Sequence, residues 1–291
     1  MNGGVSDLIP LPLFREILLG VASLPRGYRI AIDIFGMRLH SLQSNKLAVD
    51  SDTAAIGREL LRLNDFQGAD QNHAYHVNEI AVACMVGETA YKDAITASTN
   101  LAQALVDYRS GATQYGELAR TLFRLQPMAA VAVFLNRELV GIADNPKRRP
   151  LSYLFGFERE SPVNAAPPEI LMAWAGGNPK VRLSKLAEEI HLFVKNGEHD
   201  TLLWSPLALE ILDLAPDRSA ILDIYASRFY LRGVRSGSLA DALIPYLALA
   251  EKLQSHSDSQ VVAWAKKQVD LLSKQIDEEH TRDRRVDECF E

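Results

Sequence analysis

Two histidines and a glutamate stand at a spacing that could hold a metal ion on one helix. His73, His76 and Glu79 form an H-x-x-H-x-x-E run, and residues three apart on a helix are neighbours. Zinc takes nitrogen and oxygen ligands at about 2 Å, so these three side chains would supply a metal site. The usual helical zinc motif, H-E-x-x-H, does not occur in the chain. We therefore favour a helix that starts after Asp70 with exposed polar residues, and keep a metal-dependent enzyme at this cluster as an alternative.

A second candidate group consists of arginines. The segment SRFYLRGVRSG contains Arg228, Arg232 and Arg235, with Tyr230 among them, and Arg182 lies about one repeat earlier. Equivalent positions in stacked repeats form one ridge, and arginine binds phosphate or carboxylate with two-point geometry. The sequence thus indicates a partner- or anion-binding patch. The alternative, which we favour, is a solvent-exposed ridge whose arginines pair with neighbouring aspartates.

The remaining reactive side chains show no catalytic pattern. Cys84 lies in the apolar run IAVACMV, which is typical of a buried packing cysteine, and Cys289 lies in the charged tail. Neither a G-x-x-x-x-G-K-[ST] phosphate loop nor a G-x-S-x-G nucleophile elbow occurs. We therefore predict that the protein is not an enzyme, has no catalytic residues and needs no cofactor.

The elements that must position these residues are helices. Apolar residues recur at helical spacing along the whole chain, and short polar breaks separate the periodic stretches. No strand alternation and no Asn-Gly hairpin between strands is recognised. The sequence therefore predicts an all-α protein.

Three prolines indicate how the later helices are arranged. Pro168, Pro206 and Pro245 lie 38 and 39 residues apart, each near the start of a helix-turn-helix pattern. This period predicts a row of stacked antiparallel helical hairpins, an α-solenoid. Proline suits the first turn of a helix, whereas Pro245 stands further inside its helix, where it predicts a kink. The polar breaks within the hairpins are Asn178-Pro179, Pro216-Asp217 and Ser257-Asp258-Ser259.

The third of these hairpins resembles a HEAT repeat. The residues that carry the resemblance are Leu243, Pro245, Leu247, Leu249, Asp258, Val261 and Ala265. HEAT repeats usually have an arginine after the valine; here Val262 stands there, whereas the first hairpin has Val181-Arg182. The resemblance covers residues 167–276 and implies an α-solenoid whose concave face binds protein or nucleic acid, without activity. The final stretch, QVVAWAKKQVDLLSKQIDEEHTRDRRVDECFE, looks like the C-terminal helix of helical-repeat tails on bacterial sensor and defence proteins.

We divide the chain into four segments on these grounds. Residues 1–145 form an irregular helical subdomain, and the proline-rich residues 146–167 connect it to the repeats. Residues 168–276 form the HEAT-like repeats, and residues 277–291 form a charged extension of the last helix.

Charge and composition narrow the classes of partner. The formal net charge is −6, which disfavours non-specific nucleic-acid binding because such proteins are normally basic. The apolar runs are too short to span a bilayer, and two cysteines are too few for a disulfide framework, so we expect no membrane partner and a cytoplasmic location. The leading hypothesis is a non-enzymatic scaffold, adaptor or sensor that binds a protein, as a part of a bacterial multi-protein system of the defence type. A nucleic-acid-binding protein that uses the arginine ridge is the alternative.

Overall fold

The chain is predominantly helical, as predicted. The computed structural model describes residues 8–66, 70–107, 109, 111–136, 150–154, 161–196, 201–229 and 238–288. These residues form thirteen α-helices, a few short 3-10 helices and one β-hairpin. Within these ranges no helix combines the length and the apolar character that crossing a bilayer requires. The chain divides into two compact units, Met1–Leu171 (unit 1) and Met172–Glu291 (unit 2).

Unit 1 contains seven of the described helices, and several begin at residues that cap or suit a helix start. They are α1 (Leu11–Ala22), α2 (Gly27–Ser44), α3 (Ser51–Leu63), α4 (Gln71–Cys84), α5 (Tyr91–Val106), α6 (Gly116–Leu125) and α7 (Pro127–Phe134). The Asp50 carboxylate accepts a hydrogen bond from the N–H of Thr53 at 2.7 Å, and the Asp70 carboxylate accepts one from the N–H of His73 at 2.9 Å. Such caps satisfy N–H groups that have no partner within the helix.

The helices of unit 1 pack in two alternating layers. Helices α1, α3, α5 and α7 contact one another in that order, and so do α2, α4 and α6. Between the layers lie side chains that are almost fully buried, among them Phe14, Phe35, Leu60, Ile80 and Phe123. This alternation occurs in the part of the chain for which the sequence indicated no regular repeat.

Unit 2 contains the three proline-marked helix pairs. Its helices are α8 (Pro168–Gly176), which begins at the end of unit 1, α9 (Pro179–Glu189), α10 (Pro206–Leu214), α11 (Arg218–Phe229), α12 (Leu239–Leu253) and α13 (Ser259–Glu288). Pro168 and Pro206 are the first residues of their helices, and Pro245 lies inside α12, as the sequence predicted. The second helices of the pairs contact in chain order, α9 with α11 and α11 with α13.

The expectation that the chain has no strand was wrong at one place in unit 2. Strands β1 (Phe193–Asn196) and β2 (Thr201–Trp204) pair antiparallel, with Phe193 opposite Trp204. The hairpin packs against α12, where the Trp204 indole N–H donates to the carbonyl of Leu249 at 3.0 Å. Four-residue strands show too little alternation to be recognised, and their stability comes from this contact with a distant helix.

We predict opposite effects of alanine at two helical glycines of unit 1. A Cβ at Gly57 would lie 2.4 Å from Cys84 Sγ and 3.0 Å from the Phe35 ring, whereas a Cβ at the exposed Gly20 meets no atom within 4 Å. Gly57→Ala should lower the free energy of unfolding by about 1–3 kcal/mol through overpacking. Gly20→Ala should raise it by up to about 1 kcal/mol through helix propensity. Urea unfolding followed by circular dichroism measures both, and a stabilised Gly57→Ala would contradict this packing.

Candidate functional site

The structure separates the three residues of the histidine cluster. His73 is buried against the interior of unit 1, whereas His76 and Glu79 are half-buried and line a groove between α2 and α4. A step of three residues turns a helix by about 300°, so the successive side chains diverge around α4. Among the residues that the structure describes, no three metal-binding side chains come together.

His73 lies among aromatic rings. Its imidazole meets Tyr28 and Tyr115 edge-to-face, with ring centroids at 5.9 Å and 6.5 Å. Burial lowers the pKa of His73, and the nearby Arg29 guanidinium lowers it further, while Asp33 and Asp70 act in the opposite direction with less effect. Its Nδ1 atom is buried and has no hydrogen-bond partner.

His73 also lines a large cavity in the described part of unit 1, which we call the Tyr28 cavity. It measures about 950 Å³ and is bounded by the turn from α1 to α2, the end of α3 and the start of α4. The turn is tight, because a Cβ at Gly27 would lie 1.8 Å from the Val21 carbonyl oxygen. The lining residues are Leu19, Ala22, Ser23, Leu24, Arg26, Tyr28, Arg29, Glu59, Leu63, Asn64, Asp65 and His73.

Tyr28, Asn64 and His73 form a polar part of the lining of the Tyr28 cavity, which also contains two arginines and two carboxylates. The Tyr28 hydroxyl donates to the Leu60 carbonyl at 3.1 Å, and Asn64 Oδ1 accepts the N–H of Phe66 at 2.9 Å. Asn64 Nδ2 and the hydroxyl of Tyr115 are buried next to each other. Burial raises the pKa of Tyr28 well above its usual range. Burial also raises the pKa of Tyr115 to about 12, and a hydrogen bond with the Asn64 side chain offsets only part of this rise, so both phenols stay protonated.

A second recess, the α2–α4 groove, lies on the outer side of the layer formed by α2, α4 and α6. It has a volume of about 350 Å³, and the exposed side chains of Met37 and Tyr75 flank it, at 62% and 59% relative exposure. Two histidines and two carboxylates also line it. The lining residues are Asp33, Gly36, Met37, Leu39, His40, Gln43, Tyr75, His76 and Glu79.

The two predicted anion-binding arginines that the structure describes are held by main-chain carbonyls of unit 2. Arg182 donates to the Trp174 carbonyl at 2.7 Å, and its guanidinium lies over the Trp174 ring, 5.0 Å from the centroid. Arg228 donates to the Ala187 carbonyl at 2.9 Å. Both arginines thus satisfy carbonyl groups in the last turn of a helix, α8 or α9. The other members of the predicted patch, Tyr230, Arg232 and Arg235, lie outside the described residues.

Cys84 lies in the core, as its apolar run indicated. It is 1% exposed, and burial raises the pKa of its thiol to about 12. A thiol that stays protonated is a poor nucleophile. Its neighbour Arg58 donates to the Cys84 carbonyl at 3.1 Å and pairs with Asp93 at 3.0 Å, which joins α3, α4 and α5.

Of the residues around the Tyr28 cavity, the sequence singled out His73 but neither Tyr28 nor Asn64. Tyr28 follows the Pro25-Arg26-Gly27 turn, and Asn64 begins a polar break after α3; either pattern alone indicates only a loop. A scan against protein-family models and searches of curated proteins and of solved structures each found no match to this chain. The chemistry of the two recesses therefore rests on their own geometry.

We predict that His73 makes unit 1 less stable on acidification. Because the pKa of His73 is lower in the folded state, the unfolded chain binds more protons, so stability falls as the pH drops below about 6.5. Replacing His73 by phenylalanine should remove this part of the pH dependence. Urea unfolding between about pH 7 and pH 5.5 measures it, with His280→Phe, at an exposed position of α13, as the matched control. Equal slopes for wild type and His73→Phe would contradict the lowered pKa.

We predict that Arg182 acts through hydrogen-bond geometry. Arg182→Lys keeps the charge but loses the planar contact with Trp174, and should lower the free energy of unfolding by about 1 kcal/mol. The reverse change at the exposed Lys180 of the same helix, Lys180→Arg, should have no effect. Chemical denaturation compares the two. Unchanged stability of Arg182→Lys would show that the guanidinium does not stabilise unit 2.

Proposed function

We propose that this protein is a non-enzymatic helical interaction module that binds a protein partner, as the adaptor or sensing part of a multi-protein system. The alternating helix contacts within unit 1, and the α9–α11–α13 series within unit 2, support an arrangement of the HEAT-like, solenoid type. Proteins of this type use one layer of helices as an extended binding face.

The α2–α4 groove is the observation that carries the proposal. Ion pairs join helices within both layers: Arg15 with Glu59 at 2.8 Å and Arg58 with Asp93 at 3.0 Å in the α1–α3–α5 layer, and Arg29 with Asp70 between α2 and the start of α4. The α2–α4 face presents Met37 and Tyr75 to solvent directly beside a recess that both side chains line. Methionine and tyrosine are enriched at protein interfaces, and aromatic anchors that fill pockets contribute most of the binding energy.

The charges around the groove indicate the chemistry of the partner. The carboxylates of Asp33 and Glu79 line the same recess as Met37 and Tyr75, and the whole chain carries a net charge of −6. We infer that the partner inserts an apolar side chain that is flanked by lysine or arginine. Such charge complementarity speeds association and excludes acidic partners.

The other two hypotheses receive less support from the described residues. Arg182 and Arg228 donate to main-chain carbonyl groups of unit 2, so each guanidinium already has a hydrogen-bond partner within the fold. His73 is turned away from the groove that His76 and Glu79 line, so the three side chains do not share one site.

The proposal predicts a protein partner whose binding depends on the groove. Met37→Glu and Tyr75→Ala should each weaken binding by about tenfold or more, because each removes an apolar anchor. The matched control is Leu214→Glu, which changes a side chain in α10 that is 59% exposed and lines neither the groove nor the Tyr28 cavity. Affinity capture with wild type and each variant identifies proteins lost with the groove variants alone, and calorimetry with the purified partner measures the affinity.

The inference that the partner carries lysine or arginine beside its apolar side chain is tested by the salt dependence of binding. Binding of a basic segment should weaken as the salt concentration rises from about 0.1 M to 1 M, because the Debye length falls from about 10 Å to about 3 Å. A partner that binds Met37→Glu and Tyr75→Ala as tightly as wild type would overturn the groove as the docking face.

A further inference from the structure

Helix α1 carries a second apolar stripe besides the one that it buries. Leu13, Ile17 and Leu24 are 50%, 40% and 60% exposed, and Gly20 between them is also exposed. These positions follow the spacing i, i+4, i+7 and i+11, which places them on one side of the helix and of the turn that follows it. We call this set the α1 stripe. Contiguous apolar surface of this kind is typical of an interaction site.

The α1 stripe points away from both neighbours of its helix. Phe14 stacks on Phe35 of α2, with ring centroids 6.4 Å apart, and Arg15 pairs with Glu59 of α3. At about 100° per residue, the centre of the stripe lies about 90° from Phe14 and about 170° from Arg15 around the helix. The stripe therefore occupies the side of α1 opposite to α3, where a further helix in the line of α1, α3, α5 and α7 would pack.

The order of side chains along the α1 stripe is self-complementary. When two copies of α1 lie antiparallel, Leu13 of one copy can lie opposite Leu24 of the other. In the same register Ile17 lies opposite Gly20. A Cβ at Gly20 would meet no atom within 4 Å, so the helix surface there has room for the Ile17 side chain of a second copy. A two-fold axis makes each of these contacts twice, so large side chains meet large ones and isoleucine meets glycine throughout.

We propose that a second copy of this chain covers the α1 stripe, through antiparallel contact of the two α1 helices about a two-fold axis. In this register Glu16, the charged residue of α1 nearest to the stripe, lies opposite Val21, so the two Glu16 carboxylates do not face each other. A single helix pair is small beside a standard interface of about 1,600 Å², so we expect a weak and reversible dimer. This contact is separate from the α2–α4 groove and goes beyond the proposed function.

Sedimentation equilibrium of the full chain measures this association. Wild type should pass from monomer to dimer between about 10 µM and 1 mM. Leu13→Glu should weaken dimerisation by about tenfold or more, because it places a carboxylate against Leu24 in both symmetric contacts. The matched control is Leu214→Glu in α10, which changes a side chain that is 59% exposed and should dimerise as wild type does. Circular dichroism verifies that each variant is folded.

Gly20→Leu separates the proposed register from general hydrophobic association. The substitution fills open space and removes a glycine from a helix, so each chain should fold at least as stably as wild type. In the proposed dimer the added side chain takes the space of Ile17 from the second copy, so dimerisation should weaken by about tenfold or more. Association through the stripe without this register would instead become stronger, because the apolar surface grows.

Opposite charges test which residues face each other. Leu13→Glu and Leu24→Lys should each dimerise poorly, whereas an equimolar mixture of the two variants should associate more strongly than either alone, since one carboxylate then lies opposite one ammonium. Wild type that stays monomeric at about 1 mM would refute the proposal. So would undiminished dimerisation of Leu13→Glu, or stronger association of Gly20→Leu.

Discussion

The start of helix α4 is the constraint on which both recesses depend. The Asp70 carboxylate accepts the N–H of His73 and also pairs with Arg29 of α2, so one side chain sets where α4 begins and ties it to its neighbour. The His73 N–H and the Arg29 guanidinium keep the pKa of Asp70 below its usual range. A shift of α4 by one residue in its register against α2 and α3 would turn its side chains by about 100°. His73 would then leave the Tyr28 cavity, and Tyr75 and His76 would leave the α2–α4 groove.

The two recesses nevertheless differ in their physics. The Tyr28 cavity is lined by two arginines and two carboxylates beside the buried Asn64 and His73. The α2–α4 groove is open to solvent, and its apolar side chains and carboxylates favour recognition by shape and charge. In unit 2, Arg218, like Arg182 and Arg228, donates to helix carbonyls, at Leu212 and Asp213.

Several helix starts were predictable because the interactions that set them are local. Pro168 and Pro206 begin helices since a first turn needs no proline N–H, and Asp70 caps α4 with its own side chain. The β-hairpin was not predictable. The Trp204 indole N–H donates to the Leu249 carbonyl of α12, 45 residues further along the chain, and no local sequence pattern predicts such a contact.

The sequence by itself determined the helical class, the breaks between helices and the burial of Cys84, because apolar periodicity and capping act within a few residues. It also placed His73, His76 and Glu79 on one helix. Only the tertiary structure decided that His73 joins Tyr28 and Asn64 while His76 and Glu79 join Met37. The physical reason is that such groupings depend on how α2, α3 and α4 are rotated and packed against one another, and that is set by burial over many contacts rather than by any short motif.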